Sequence, residues 1–369
     1  MLRFQSRLTA GALAVLLLCA ALPTAALAAE APAAEPLRFE QVAELLLEHS
    51  PHIRKNRLEL LNLSSNDKLE DRQAELAASS AAFKDGSPAS AVLMQQIQAQ
   101  VMAMSPTPVQ ADLYALQIEL ANQAILQSGE QLYYGLIRAQ SGLETLRRAR
   151  PLLEQAVLKA ETAQAAGMGT EAALLEARAA LADHDAQISA QALSVRSLIY
   201  HLNMLLGRDY DRALETAPLP APDLVYYGAI DLAADLGAMQ KASFQLRALE
   251  RALAGIGDDD YDATVRERQI KEAELQIETN RARARFEQQY HEIGNLQAAC
   301  ENRRAHLALA GLNADSAETA FAAGLLSELA LEQAREALRL EQDALQQAEW
   351  ALFWNIELYK WALKGLPLE

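Results

Sequence analysis

Few residues in this chain combine the types and spacing that carry chemistry. His49 and His52 stand three residues apart beside Glu48, and two imidazoles one helical turn apart are a start on a metal site. No third ligand is placed with them, and Pro51 interrupts a helix that would hold both on one face. The pair reads as surface. Asp258, Asp259 and Asp260 with Asp262 gather the carboxylates that calcium takes. The run lacks the glycine and the terminal Glu spacing of a calcium loop, and reads as a solvated turn. Cys300 has no catalytic signature around it and reads as a packed or idle thiol. There is neither a nucleophile elbow nor a Gly-rich phosphate loop. The sequence therefore predicts no catalytic, cofactor-binding or metal-ligating residues, no cofactor and no enzyme.

The elements that frame these residues carry more information. The chain has 369 residues, of which 51% are hydrophobic and 5% aromatic, with only 16 Gly and 12 Pro. That is a folded composition with long elements between turns. The formal net charge of −16 and the absence of a basic patch exclude a nucleic-acid binder. Arg3 and Arg7, an apolar run from Ala12 to Leu22, and Ala26-Leu27-Ala28 read as a secretory signal peptide over residues 1–28. Its removal takes Cys19 and leaves Cys300 as the only cysteine, so no internal disulfide is expected. After residue 28, one uncharged stretch is long enough to span a bilayer, Gly86 to Ala111, but it contains Pro88, Pro106 and Pro108, and a transmembrane helix is not expected there.

The chain reads as two copies of one plan. With Gly167 placed on Gly324, an offset of 157, Tyr133 falls on Tyr290, Glu161 on Glu318, Ala177-Arg178 on Ala334-Arg335 and Leu181 on Leu338. Ala165 to Glu171 (AAGMGTE) matches Ala322 to Glu328 (AAGLLSE). Upstream, Ser50, Ile53 and Arg54 fall on Ser243, Leu246 and Arg247 at an offset of 193, so the first copy carries 36 extra residues, around Ser79 to Pro108. Pro218, Pro220 and Pro222 mark an extended linker. The expected division is residues 29–207 for a first helical repeat, 208–223 for the linker and 224–369 for a second repeat.

Each copy predicts a long helical hairpin. Gly167 and Gly324 suit a helix C-terminus, and Thr170 and Ser327, three residues on, suit the N-cap of a returning helix. The arms are expected at about Gln127–Ala166 and Thr170–Leu206, then Arg266–Ala323 and Ser327–Leu363, with a kink at Pro151. A 40-residue arm spans about 60 Å and needs partners along its length. The fold class is all-α, two repeats of long antiparallel helical hairpins.

Ordered along the chain, these features resemble the TolC-like outer-membrane efflux proteins. Leu37-x-Phe39-Glu40-Gln41 with Leu46, Ser50-Pro51 and Ile53 is similar to the family's opening. Leu202-Asn203-Met204-Leu205-Leu206-Gly207 before the Pro-rich linker is similar to its repeat end, and each copy has the Tyr, the G-x-x-[ST] turn and the following Ala-Arg. The resemblance implies a homotrimer with a twelve-helix tunnel, which takes substrate from an inner-membrane transporter through a periplasmic adaptor (membrane fusion) protein. It places adaptor docking at the hairpin tips, here Gly167, Met168, Gly169, Thr170, Gly324, Leu325, Leu326 and Ser327. Two departures stand out. Ala173 and Ala330 occupy positions where many members carry Asp. The slots for barrel strands are Ala254 to Tyr261, too short for two spanning strands, and Ser79 to Pro108, which has no sustained alternation. Little or no β-barrel is expected, and direct membrane insertion is doubtful. Trp350, Trp354 and Trp361 with Phe353 and Tyr359 read as packing at the distal end of the bundle, or else as an interfacial belt. The sequence implies an exported duct component for small molecules or peptides. The alternative is an envelope structural or binding protein that has lost the channel.

Overall fold

The computed structural model describes residues 35–64, 108–257 and 261–368. The expected signal peptide, the slot from Ser79 to residue 107, and Asp258 to Asp260 lie outside them. The unit that begins at Pro36 contains, among the described residues, α1 (Phe39–His49), α2 (Pro51–Ser64), α3 (Pro108–Ala165), α4 (Glu171–Leu205), α5 (Leu224–Gly228), α6 (Leu232–Ala242), α7 (Phe244–Ala254), α8 (Asp262–Ala322) and α9 (Glu328–Leu363). The fold is all-α. A pair of short helices followed by a long hairpin occurs twice: α1–α4 and α6–α9.

The hairpin arms are long because their sequences are rich in Ala, Leu, Glu, Gln and Arg, the good helix formers. α3 has 58 residues and α8 has 61, about 87 and 92 Å at 1.5 Å per residue. α3 begins at Pro108 rather than at the expected Gln127. Proline fits the first helical position, where its missing N–H has no partner to lose, and no further proline follows until Pro151. The helix assignment also runs unbroken through Pro151. Proline removes the N–H that the Arg147 carbonyl would accept, and α4 braces that turn from the side. His184 Nε2 lies 2.7 Å from the Leu146 carbonyl oxygen, and Arg150 Nε donates to Asp185 Oδ1 at 2.6 Å.

The apolar core sits at the end of the hairpins away from their turns, and α9 holds it together. One face of α9 sends Trp350, Phe353, Trp354 and Trp361 into a cluster with Phe39, Leu46, Tyr133 and Leu202 of the first repeat. The other face sends Leu352, Ile356 and Tyr359 into a cluster with Met239, Phe286 and Ile293 of the second. Both sets recur at three to four residues, the spacing of a helix face. Tyr134 stacks on Trp354 at 5.0 Å, Phe353 meets Phe39 edge-on at 4.9 Å, and Phe286 stacks on Tyr359 at 4.6 Å. All three tryptophans are buried, the packing reading rather than the belt. Leu37 forms a parallel bridge to Thr216, which ties the start of the first repeat to the Pro-rich stretch. The Tyr133 hydroxyl lies 2.7 Å from the Leu37 carbonyl and 2.6 Å from that of Ala217.

One joint is built twice. Ser50 separates α1 from α2, and Ser243 separates α6 from α7. Both are buried, and both hold extended-side ψ values, 123° and 116°. A positive-φ glycine after the long hairpin packs on each break: Gly207 (φ 66°) on the first and Gly365 (φ 98°) on the second. A Cβ on Gly207 would stand 2.6 Å from the His49 carbonyl oxygen, and one on Gly365 would stand 2.2 Å from that of Ala242. Only glycine fits either place. The Phe244 N–H donates to the Gly365 carbonyl at 3.1 Å. Its counterpart is Pro51, which has no N–H to donate; its ring carbons would lie 3.2 and 3.4 Å from a Cβ on Gly207.

Candidate functional site at the hairpin tips

The two tips close by the same hydrogen bonds. After α3, Gly167 adopts φ 72°, and after α8, Gly324 adopts φ 72°. Their N–H groups donate to the carbonyls of Gln164 and Phe321, each at 2.9 Å. The next N–H groups, of Met168 and Leu325, reach back to Ala163 at 2.9 Å and Ala320 at 2.8 Å. This left-handed closure satisfies carbonyls at the helix end that otherwise lack partners. The Thr170 hydroxyl then accepts from the Ala173 N–H at 3.2 Å, and that of Ser327 from the Ala330 N–H at 3.3 Å. Glu171 and Glu328 follow in the first turn, where the helix dipole favours an acid.

Below each turn the stem is pinned. Leu174 and Leu331, 157 apart, are buried. Arg178 donates to Glu161 at 2.8 Å across the first hairpin, and Arg335 to Glu318 at 3.0 Å across the second. The sequence puts both residues of each pair in register between the copies but does not by itself join them. Their identity at one offset was the available signal. Above the stem, Met168 and Leu325 stand 83% and 82% exposed, one apolar knob on each tip. The turns differ at one place. Gly169 gives a second N–H to the Ala163 carbonyl at 2.9 Å, and a Cβ there would meet the Gln164 nitrogen at 2.9 Å. Its counterpart is Leu326, so the first turn is the tighter.

The eight residues expected at the tips thus form two separate turns of four. Among the described residues, no hydrogen bond or ion pair joins one turn to the other. The hairpins are linked about 24–43 Å up their arms, by the helical rise. There Asp343 accepts from Thr145 at 3.1 Å and pairs with Arg148, and Arg138 reaches Gln347 at 3.3 Å. The tips present apolar contact over an acidic, braced stem, an arrangement suited to protein recognition. The other candidates lie elsewhere. The break at Ser50 puts His49 and His52 on different helices, and burial with Lys55 nearby lowers the His52 pKa. Cys300 is buried in the second cluster, and that burial raises its thiol pKa.

Neither a protein-family model nor a curated protein matches the chain. Solved structures do. The outer-membrane channel OprN matches over 89% of this chain and 90% of its own, with a TM-score of 0.56 at 15% identity. CusC, whose structures concern folding and transmembrane channel formation, matches over 89% and 92% with a TM-score of 0.55 at 13% identity. VceC from Vibrio cholerae matches over 89% and 96% with a TM-score of 0.51 at 15% identity. The chain has the TolC-like fold. At these identities the likeness is one of fold, and it spans nearly the whole length of each neighbour. Within the TolC-like frame, α3–α4 and α8–α9 are the two hairpins, and the seven residues from Gly255 to Tyr261 join α7 to α8. That connection is too short for two spanning strands.

Proposed function

We propose that this chain is a subunit of an exit duct in the cell envelope, through which small molecules or peptides leave. The observation that carries this is a duplicated long hairpin whose lower arms lack an apolar core of their own. Leu193 on α4 is 66% exposed, and Leu309 and Leu312 on α8 are 56% and 65% exposed. Side chains of this kind on long isolated arms call for neighbouring helices, and a homotrimer closing into a tube supplies them. The tips would dock a periplasmic adaptor (membrane fusion) protein, which links the tube to an inner-membrane transporter. The chain would be exported by residues 1–28 and sit in the periplasm or at the outer membrane. The division into repeats at 29–207 and 224–369, with the linker between, belongs to the same proposal. The excess of acids would favour cations and neutral solutes over anions in the lumen. The neighbours are channels, which supports a non-enzyme.

A second reading has an observation of its own. The short α7–α8 connection leaves the second repeat no room for barrel strands, and no described helix is long and apolar enough to cross a membrane. A structural or binding protein of the envelope that kept the hairpins and lost the channel would look the same. Light scattering on the purified chain without detergent separates the two. A particle of three chain masses supports the duct, whereas a monomer at every concentration tested overturns it. A chain soluble only in detergent contradicts the missing barrel.

A further inference from the structure

The joint between the repeats contains a buried acid that neither the hairpins nor their tips require. Glu130 lies on the part of α3 that faces α9, and it is only 7% exposed. Its Oε2 accepts a hydrogen bond from Trp361 Nε1 at 2.7 Å, a contact that spans the first and second repeats. The neighbouring position is Gly129, where a Cβ would stand 2.3 Å from Leu46 Cδ1 and 3.3 Å from Val42 Cγ1. α1 therefore closes tightly beside the acid with apolar groups, and its Glu40 acts on Tyr133 rather than on Glu130. The charged groups that act on Glu130 come from α9 and from Lys364, which caps its C-terminus. Glu357 opposes its charge, while Lys360 and Lys364 favour it. Both lysines are otherwise engaged: Lys360 Nζ is 2.7 Å from Glu357, and Lys364 Nζ sits 4.0 Å over the Trp361 ring.

From this geometry we propose that Glu130 is a proton switch on the α3–α9 joint, holding the two repeats tightly together when protonated and loosening them when ionised. A neutral carboxyl loses little by leaving water, but a carboxylate in the same place lacks a full counter-charge. The single indole N–H satisfies one of its two oxygens. Opening the joint hydrates the carboxylate more fully, and the stacked pair Tyr134–Trp354 and the edge contact Phe39–Phe353 part with it. Burial and Glu357 push the carboxyl up to about 7, against the hydrogen bond from Trp361. The tyrosines of the joint stay neutral through that range, since burial pushes Tyr133 to about 12 and raises Tyr134 as well. The switch does not depend on the duct reading, because it operates within one chain.

Hydrogen exchange of residues 350–363, measured on the full purified chain from pH 5 to 9 and corrected for intrinsic exchange rates, tests it. The opening constant should climb by up to about tenfold per pH unit to about pH 7 and level off above it. Glu130→Gln should hold the low-pH value throughout. Trp361→Phe removes the bond that favours the carboxylate and should move the plateau to higher pH. A flat wild-type profile, or the same climb in Glu130→Gln, overturns the proposal. Should the Gln variant not fold, carbon-13 titration of the wild-type Glu carboxyls decides. One resonance titrating near 7 supports the switch, and none above the ordinary Glu range overturns it.

Discussion

At the scale of single residues, the positive-φ glycines divide into two kinds. Gly324 has open space where a Cβ would stand, so Gly324→Ala should cost only the left-handed penalty of about 1–2 kcal/mol. Gly365 has the Ala242 carbonyl oxygen 2.2 Å from that point, and Gly365→Ala should cost more than about 3 kcal/mol, the range of forced backbone clashes and strain. Urea unfolding of the two variants checks the order, and equal losses would contradict the close approach. Glu130 gives a second prediction. Its pKa is raised above its unfolded value, so its contribution is full below about pH 4.5 and is lost as the pH rises through about 7. That is on the order of 3 kcal/mol. Unfolding free energies at pH 4 and pH 8 should differ by that much less in Glu130→Gln than in the wild type. The tip glycines were legible from the sequence because the turn is local chemistry. The close approaches of Gly207 and Gly365 were not, although Gly207 closes a motif, because what they approach is more than a hundred residues away in the chain.

At the scale of elements, the caps and pins of the two hairpins should behave alike. Thr170→Ala and Ser327→Ala each remove a side-chain acceptor at a helix start, a loss of about 1 kcal/mol. It should appear as faster amide exchange in the first turn of α4 or α9 and nowhere else. Exchange spreading up the whole arm would mean that the hairpin folds as one unit. The cross-hairpin pairs Glu161–Arg178 and Glu318–Arg335 are solvent-facing. They set the register of the arms more than their stability, and salt should weaken them. The sequence located the arms because proline and glycine are scarce there and the copies agree. It misplaced the start of α3 by nineteen residues because Pro108 reads as part of a Pro-bearing insert rather than as the first residue of a helix. It also left open how α9 divides its aromatic residues, since a helix with two buried faces shows no single apolar stripe.

At the scale of the whole molecule, the proposed tube rests on side chains that one chain leaves uncovered. Leu193→Glu with Leu312→Glu changes two exposed positions, so the fold should survive while assembly fails. Light scattering should then give one chain mass, with helical circular dichroism unchanged. A trimer that persists would move the subunit contact elsewhere on the arms. Met168→Glu with Leu325→Glu should leave assembly intact and abolish export in cells, by removing the apolar knobs of the tips. The repeat architecture was legible because duplication writes the same residues twice. The joint between the repeats was not, because Glu130 and Trp361 have no counterpart relation to each other.

The two-faced α9 bears on the order in which the chain can fold. Residues 350–362 complete both apolar clusters, and most of their partners in both precede them in the chain. Whatever passage the nascent chain makes, through a ribosome tunnel or a translocation pore, neither cluster can close until residues 350–362 have emerged. The polypeptide up to that point therefore remains threadable, and it commits to its structure when these residues arrive. A chain ending at residue 349 should stay that way permanently and be cleared by proteases.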